Sequence, residues 1–558
     1  MKIILQSKEL VINNDNTKDM IHIITQFFIP DNKYRLKEIQ FALKQNVENL
    51  HIHKIHLLNE KIYNSKELDV ESDKIVQTNI QNRLTFQDVF SYVRTENLKG
   101  YIVMLNIDIF LNNSIRKITN SSMDLNKQMC CLLRYELNKQ NPSKSSIFGP
   151  RYDSQDTWIF HTKQTISMLS EKLFSFEFGR PGCDNKLIYL LSILGYEIIN
   201  DPKTIHSYHV HSEVKRNYSR HDSLPLPAGV IIPYGFQIED MKPKLGIDLK
   251  KFQLWSNNFQ DITFDNNKKM FDYIVQKIDR DEAFIIPRVS GIENNVAVFS
   301  RVIHKKLHHD IDQMQKYIQN TLKSMKNNAG ILLTNQNSIL YYSNLYLSAF
   351  DQCEIYASWE PQGDYIRHIS HSHSYMLHNY KEKRRIWAYN FDIFHYIYNN
   401  PWTWALKKKR ILLISPFVET LKQQIPIRRR MYDNIDLFPE CDFVYLKPPQ
   451  THADQPAEDF SIEFDKFKDN VNELLDQFDI ALVSCGGYGN PICSHIFSKG
   501  KSAIYVGGVL QMYFGILGNR WIQERNEVVK LFYNEYWKRP NQNEKPKNCN
   551  KIENACYW

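Results

Sequence analysis

The sequence predicts an α/β protein of two domains, each built around a mainly parallel sheet. Its 558 residues exceed what one hydrophobic core usually serves. Apolar strand-like runs alternate with helical segments in both halves, the pattern typical of parallel sheets covered by helices. A Pro- and Gly-rich stretch, DSLPLPAGVIIPYG, separates the halves. We therefore expect domains at 1–235 and 236–540, followed by a polar, loosely attached tail at 541–558.

The N-terminal half alternates strands and helices from residue 21 onward. A helix is predicted after the first strand because apolar residues recur there at helical spacing, at Leu36, Ile39, Leu43 and Val47. Apolar strands are predicted at 21–30, 53–60, 78–80 and 100–110. This order predicts a mixed, mainly parallel sheet with covering helices.

The C-terminal half predicts a second, Rossmann-like α/β domain of a different fold. Its apolar strands are predicted at 407–417, 478–489 and 501–508. A helix-like segment, ICSHIFSKG, separates the last two strands. If those strands are parallel, the glycine turns that follow them lie at the same edge of the sheet. Neither half shows an internal repeat.

Composition argues against several classes of protein. The 70 Lys and Arg exceed the 62 Asp and Glu by only +8, and these charges are scattered, which argues against a nucleic-acid binder. The nine cysteines form no CxxC pair, which argues against a disulfide framework or a zinc site. No run approaches the roughly 20 apolar residues of a membrane span. We expect a soluble, cytoplasmic protein, in the host cytoplasm if the sequence is viral.

The first candidate site lies where the buried run YIVML meets polar sequence, at Asn106 and Asp108. Open α/β sheets bind ligands at the carboxyl ends of their strands. Two carboxylates one residue apart can share a divalent cation that also holds a diphosphate, although here the first position is Asn106. A plain turn at the end of the strand is the alternative.

Asp184 and two histidines could complete that site. The turn Gly179-Arg180-Pro181-Gly182 delivers Asp184 to the start of an apolar helix, where it is either a helix cap or a base that takes a proton from an attacking hydroxyl. His209 and His211 share one face of an extended segment, so both could approach a cation or a diphosphate. A pair of surface histidines is the alternative reading.

These segments together resemble a GT-A-like glycosyltransferase domain found in polysaccharide gene sets of bacteria, algae and large DNA viruses. The matching runs are QFFIPDNKYRLKEIQFALKQN, LLNE, NIDIF, QDTWIF, GRPGCDNKL and YHVHSEVKRNY. The resemblance implies a nucleotide-sugar donor, with Asp108 on a Mn²⁺ or Mg²⁺ ion and Asp184 as the acceptor-side base. It also implies donor-side positions for Arg35, Glu60 and Asn106. A base at Asp184 implies inversion at the anomeric carbon.

The second candidate site combines two glycine turns with a charged pair. Backbone N–H groups of a glycine loop before a helix can cradle a phosphate, although glycines also simply make tight turns. Arg288 could pair with a phosphate and Glu293 could bind a cation, or the two could form an internal salt bridge. The glycines concerned are Gly486, Gly487, Gly489, Gly507 and Gly508.

This half resembles the GT-D type of glycosyltransferase. The matching runs are AFIIPRVSGIE, NPWTWALKKKRILLISPFVETLKQQ, LKPPQTHAD and ALVSCGGYGNPICSHIFSKGKSAIYVGGVLQMYFGILGNRW. The GT-D pattern carries an Asp-x-Glu metal motif, whereas this chain has Gly291-Ile292-Glu293. The resemblance implies a second nucleotide-sugar site, with Glu293 at the metal and Arg288 and the glycines at the donor.

The leading hypothesis is a bifunctional glycosyltransferase that moves hexosyl or deoxyhexosyl units from UDP- or GDP-linked donors to a growing oligosaccharide. Both metal motifs lack one acid, which favours an alternative: one active N-terminal domain with a degenerate C-terminal partner that binds glycan or acts as a scaffold. A nucleic-acid-binding protein is a third, weaker reading. The sugars, the acceptor and the oligomeric state cannot be read from the sequence.

Overall fold

The computed structural model describes residues 19–164, 166, 171–194, 196–211, 223–224, 229–236, 252–254, 266–304, 311–359, 366–368, 371–392, 401–523 and 526–558. Contacts divide the chain into two units, Met1–Leu249 and Lys250–Trp558. Both units are α/β, as the sequence predicts. The predicted domain boundary near residue 235 falls in a region that lies largely outside the described residues, and the exact boundary stays a prediction.

Eleven strands and four helices are described in the N-terminal unit. The strands are β1 Ile21–Thr25, β2 Lys54–Asn59, β3 Ile75–Asn79, β4 Tyr101–Leu105, β5 Ile109–Leu111, β6 Gln128–Leu132, β7 Tyr135–Glu136, β8 Ser146–Ile147, β9 Thr157–His161, β10 Glu197–Ile199 and β11 Ser207–His209. The helices are α1 Lys33–Glu48, α2 Ser65–Leu68, α3 Phe86–Thr95 and α4 Cys183–Ile193.

The main sheet of this unit has the order β10-β6-β9-β4-β1-β2-β3. All its described pairings are parallel except those of β9, which runs antiparallel to β4 and β6. The strands β1, β4 and β9 are buried along their whole length, which explains their continuous apolar runs. The predicted mixed, mainly parallel sheet is therefore correct, and Asp108 directly follows its central strand β4.

A smaller sheet, with the order β5-β11-β7-β8, adjoins helix α1. The buried amide of Asn46 on α1 donates to the carbonyl of Ile109 at 2.9 Å and accepts the N–H of Leu111 at 3.0 Å. Asn49 donates to the carbonyl of Leu111 at 3.0 Å. Because buried backbone groups must be paired, these bonds fix α1 against strand β5.

Nine strands and ten helices are described in the C-terminal unit. The strands are β12 Phe252–Leu254, β13 Ile285–Ile286, β14 Ile355–Ser358, β15 Ile366–His368, β16 Arg384–Trp387, β17 Arg410–Ile414, β18 Asp442–Leu446, β19 Ile480–Val483 and β20 Ser502–Tyr505. The helices are α5 Asn266–Asp279, α6 Ile292–His304, α7 Ile311–Ser324, α8 Gln336–Gln352, α9 His371–Asn379, α10 Val418–Gln424, α11 Phe460–Asn472, α12 Gly489–Ser498, α13 Asn519–Gln523 and α14 Glu527–Phe532.

The C-terminal unit is built on a fully parallel sheet of order β13-β20-β19-β17-β18. Strands β19 and β20 are parallel neighbours, so the two glycine turns that follow them lie at the same edge of the sheet. Helices α6, α8, α11 and α12 contribute buried apolar residues to one core with these strands. The predicted Rossmann-like arrangement of strand, glycine turn and helix is therefore present.

The predicted loose tail at 541–558 is wrong. The Glu544 carboxylate accepts the backbone N–H groups of Glu419 and Thr420, at 2.8 and 3.2 Å, at the start of α10. Apolar residues scattered among the polar ones make one buried face, which overall composition conceals. The buried residues are Cys549, Ile552, Ala555, Cys556 and Trp558.

A buried histidine pair makes the N-terminal unit sensitive to acid. His22 Nδ1 lies 3.1 Å from His56 Nε2, and His56 Nδ1 lies 3.0 Å from the hydroxyl of Tyr92. Burial, reinforced by neighbouring positive charge, lowers the pKa of both His22 and His56 to about 4. Both rings are therefore neutral in the folded protein at pH 6, where an unfolded chain protonates them.

We predict that this pair weakens the N-terminal unit as pH falls. A histidine with a depressed folded pKa leaves stability unchanged above about pH 6.5 and costs stability between about 6.5 and 4, by at most about 1.4 kcal/mol per pH unit. Urea unfolding of the full chain at pH 7 and pH 5 measures this slope. A His56→Gln variant should flatten it, while a His206→Gln control should not, and equal slopes in both would contradict the prediction.

Candidate functional site

Asp108 lies between strands β4 and β5, at the carboxyl end of the central strand, and its side chain is 10% exposed. Arg35, in the first turn of α1, forms an ion pair with Asp108 Oδ2. The same oxygen lies 3.0 Å from His209 Nε2, on the last residue of β11. Residues far apart in sequence therefore meet on one carboxylate at the strand end.

Further charged residues extend this arrangement. His209 Nδ1 lies 3.1 Å from Glu136 Oε2, and Arg134 Nε donates to Glu136 Oε1 at 2.9 Å. Arg134 also forms an ion pair with Asp156, which accepts from the amide of Asn106 at 2.9 Å. We call this set the Asp108 cluster: Arg35, Asn106, Asp108, Arg134, Glu136, Asp156 and His209.

A second carboxylate does lie near this strand end, but it belongs to Asp156 and not to position 106, which is an asparagine. Asp156 precedes strand β9 and meets Asn106 through the antiparallel pairing of β9 with β4. In sequence the two residues are 50 positions apart. The second carboxylate near this strand end is thus supplied by tertiary structure.

The cluster holds its charges in opposite pairs. Burial opposes ionisation of Asp108, but His209 and Arg35 outweigh it and hold the pKa of Asp108 well below its usual range. Burial likewise opposes protonation of His209, but its bonds to Asp108 and Glu136 raise the pKa of His209 to about 9. Burial of Glu136 is outweighed by His209 and Arg134, which lower its pKa to about 2.

His209 is consequently a cation at neutral pH, with both ring nitrogens donating to carboxylates. Carboxylate and imidazole ligands suit Mn²⁺ in kind. A metal on Asp108 and His209 would have to displace a proton and the Arg35 contact, so the arrangement does not fit a metal as it stands. Across the described residues, no group of three or more His, Cys, Asp and Glu side chains is placed to hold a metal ion. Metal binding here stays a prediction.

Asp184 lies in the first turn of α4, as predicted, and is half-buried. Its Oδ2 accepts the backbone N–H of Gln155 at 3.1 Å, and Gln155 directly precedes Asp156 of the Asp108 cluster. The helix N-terminus stabilises a carboxylate at this position. Its role as a base stays a prediction, but its segment adjoins the cluster.

Of the two remaining predicted residues of this unit, His211 lies beside the cluster and Glu60 lies away from it. The ring of His211 stacks on that of His209, with centroids 5.1 Å apart, so the two histidines do share a face. His211 Nδ1 lies 4.0 Å from Glu38 Oε2, and Glu38 also pairs with Arg35 at 3.1 Å. Glu60 is exposed just after β2 and has no described contact with the cluster. The roles of His211 and Glu60 stay predictions.

In the C-terminal unit, Arg288 lies beside the ends of strands β19 and β20. Its guanidinium donates to the carbonyl of Val506 and lies 4.7 Å from the ring centroid of Trp359. The side-chain amide of Asn490, which follows the first glycine turn, donates to the carbonyl of Arg288 at 2.9 Å and accepts its backbone N–H at 3.2 Å. The charge of Arg288 is thus held at the predicted phosphate cradle.

Protein atoms pack closely against the glycines of that cradle. A Cβ added at Gly489 would lie 2.3 Å from the ring of Tyr505, and one at Gly508 would lie 2.2 Å from the ring of Tyr557. Similar contacts occur at Gly486, Gly487 and Gly507, the last against Arg288. Close packing therefore accounts for these glycines without a ligand, and their donor-binding role stays a prediction.

Two buried titratable groups flank the C-terminal cradle. Burial raises the pKa of Glu293, in the first turn of α6, to about 6. A Cβ added at Gly330 or Gly486 would lie 3.0 or 3.2 Å from the ring of His452, on the loop after β18. Burial lowers the pKa of His452 to about 4. Arg288 acts on Glu293 through its charge, which lowers the pKa of Glu293 less than burial raises it.

Sequence reasoning missed Glu38, Arg134, Glu136 and Asp156. Each is an ordinary charged residue by local pattern. Glu38 approaches the cluster as the i+3 partner of Arg35 on α1. The pairing of β7 with β11 and of β9 with β4 brings Arg134, Glu136 and Asp156 into the cluster. Asp156 lies within the QDTWIF run, which is the one local signal that points to it.

Among the described residues, no helix has the length and apolar character required to cross a membrane. The chain matches no protein-family model and no curated protein.

Several solved structures are similar to part of the chain. A mannosyltransferase from Pyrobaculum calidifontis, in complex with GDP-Man and Mn²⁺, is similar at 10% identity and a TM-score of 0.25, over 36% of this chain and 59% of that one. GalNAc-T7 with UDP, GalNAc and Mn²⁺ is similar at 8% identity and a TM-score of 0.25, over 36% of this chain and 45% of that one.

A third structure, a domain of unknown function 1792, is similar at 12% identity and a TM-score of 0.21, over 50% of this chain and 96% of that one. The chain spans well under two thirds of the length of the first two proteins. At these TM-scores the similarities carry no argument about chemistry, which has to come from the residues of the site.

Proposed function

We propose that the N-terminal unit is a glycosyltransferase that moves a sugar from a UDP- or GDP-linked donor to an oligosaccharide acceptor. The observation that carries this proposal is the Asp108 cluster at the carboxyl end of β4, with Asp184 on an adjoining segment. Ligands of open α/β sheets bind at such strand ends. The resemblance of the surrounding motifs to GT-A-like domains supplies the substrate class.

The residues divide into two roles. Arg35 and protonated His209 place positive charge where the diphosphate leaving group of the donor gains negative charge. Asp184 takes the proton from the acceptor hydroxyl, whose oxygen then bonds to the anomeric carbon as the bond to the diphosphate breaks. A single displacement of this kind inverts the anomeric centre.

A second transfer by the C-terminal unit is the second candidate, giving a bifunctional enzyme that extends one glycan twice. Arg288, held beside two glycine turns at the end of a parallel sheet, favours it. The close packing around Gly489 and Gly508 favours the alternative, a degenerate unit that binds glycan or acts as a scaffold. Intracellular sugar transfer with Mn²⁺ or Mg²⁺ as the cofactor belongs to the same proposal, in which the metal would replace Arg35 at Asp108.

The test uses the full chain and a panel of UDP- and GDP-sugars, with and without Mn²⁺, and measures release of nucleoside diphosphate. We expect turnover of at least one donor, lost in Asp108→Asn. A bifunctional enzyme should turn over a donor that Asp108→Asn retains and Glu293→Gln loses. Turnover that neither variant changes would contradict both assignments, and sensitivity to Asp108→Asn alone would favour the degenerate C-terminal unit.

A further inference from the structure

Helix α1 and the smaller sheet of the N-terminal unit enclose a cavity of about 780 Å³. It lies beside the Asp108 cluster: of its lining residues, Glu38 pairs with Arg35 and Val210 bonds to the backbone of Asp108. Pockets for small molecules span about 300 to 1,000 Å³ and are mostly apolar, with a few placed polar groups. The size of this cavity therefore suits a small ligand.

Four aromatic side chains line the cavity: Tyr34, Phe41, Phe110 and Tyr208. Phe110 and Tyr208 stack with their ring centroids 5.2 Å apart, and Phe41 meets Phe110 edge-on at 6.0 Å. Phe41 remains 42% exposed and Tyr34, at the rim, remains 72% exposed. Large exposed aromatic side chains around one cavity indicate that binding an apolar group there is favourable, because it removes their surface from water.

Hydrogen bonds tie the walls of the cavity to the rest of the N-terminal unit. Asn46 binds both the carbonyl of Ile109 and the N–H of Leu111, so α1 cannot swing away from β5 without leaving buried polar groups unpaired. Val210, on the opposite wall, donates its N–H to the carbonyl of Asp108 at 2.9 Å. A ligand therefore meets a site that is already organised.

The charges of the lining favour an anion. Lys37 projects from α1 and Lys139 from the opposite wall, whereas Glu38 is the one acid of the lining. Glu38 is 5% exposed, and Arg35, from outside the lining, pairs with it at 3.1 Å. Lys139 Nζ also lies 3.6 Å from Glu38 Oε1. Arg35 also pairs with Asp108, so the lining is counted without it. Two lysines against Glu38 leave the lining with an excess of one positive charge.

We propose that this cavity binds a small amphipathic phosphate, with its apolar body against Phe41, Phe110 and Tyr208 and its anionic group between Lys37 and Lys139. An alkyl chain and an aryl ring both present such an apolar body, and the titrations below distinguish them. The site lies outside the proposed sugar-transfer chemistry and needs no catalytic activity to be tested.

Isothermal titration of the full chain with decyl phosphate, below its micelle concentration, tests the proposal. One saturable site is expected, with no detectable binding of inorganic phosphate and at least about tenfold weaker binding of decyl maltoside, whose headgroup is uncharged. Phenyl phosphate, titrated in parallel, distinguishes an aryl from an alkyl body. Equal affinity for decyl phosphate and decyl maltoside would overturn the assignment of an anion.

Matched variants locate the site. Lys37→Glu should weaken decyl phosphate binding at least about tenfold, whereas Lys44→Glu, an exposed lysine of the same helix outside the lining, should not. Phe41→Ser should weaken binding of either phosphate, and Phe28→Ser, an exposed aromatic residue elsewhere, should not. These positions are exposed, so circular dichroism should report intact folds. Unchanged affinity in Lys37→Glu and Phe41→Ser would overturn the proposal.

Discussion

Replacing Asp184 by Asn should lower the rate of sugar transfer by about 10²- to 10⁴-fold, the usual contribution of a general base. The amide keeps the shape of the carboxylate and can still accept the N–H of Gln155, so the fold should survive. Because the amide cannot take a proton, the acceptor hydroxyl is not activated. Donor binding, measured by titration with the nucleotide sugar, should change little.

The matched control for Asp184 is Asp88→Asn. Asp88 is also a first-turn carboxylate, and it accepts the backbone N–H of Thr85 at the start of α3. If a carboxylate at a helix start is merely structural, replacing it lowers the stability of the protein and leaves the rate of sugar transfer unchanged. If Asp184→Asn behaves like Asp88→Asn in both stability and transfer rate, Asp184 is a helix cap and not the base.

Replacing Asp108 by Asn should lower turnover by about 100-fold or more and destabilise the N-terminal unit by about 3 kcal/mol. The buried carboxylate compensates Arg35 and His209, and its loss leaves two cations facing each other. The pKa of His209 should then fall from about 9, because its strongest partner is neutral. The charge that faces the donor diphosphate would be reduced at neutral pH.

Three measurements check the Asp108 prediction: turnover of the donor, urea unfolding, and the pH titration of His209 by NMR. Glu171→Gln is the control, since Glu171 is a buried carboxylate paired with Arg94 at 2.8 Å and lies outside the cluster. That variant should lose stability but keep its turnover and the His209 pKa. An unchanged His209 pKa in Asp108→Asn would contradict the proposed coupling.

The Asp108 cluster also determines how the stability of the N-terminal unit changes at alkaline pH. A histidine whose folded pKa is raised contributes stability below about pH 6.5, and that stability is lost as pH rises through about 9. His22 and His56 act in the opposite direction, since their folded pKa values are lowered to about 4. The N-terminal unit is therefore expected to be most stable at a pH between about 4 and about 9.

The sequence by itself determined the sheet of each unit and the place of Asp108. Continuous apolar runs such as YIVML predict buried strands because parallel strands are covered on both faces. The polar residue at the end of such a run must then lie at the carboxyl edge of the sheet. The shared face of His209 and His211 followed equally directly from the two-residue period of extended chain.

Only tertiary structure decided which side chains meet Asp108. His209 reaches it across 101 residues because β11 pairs antiparallel with β5, and β11 in turn aligns Glu136 on β7. The sequence of each strand has no local mark of its partner or register. The burial of Trp558 was hidden for a similar reason, since its contacts with distant segments outweigh the polar composition of its own segment. Local patterns fix which elements form, whereas long-range pairing fixes the chemistry that those elements bring together.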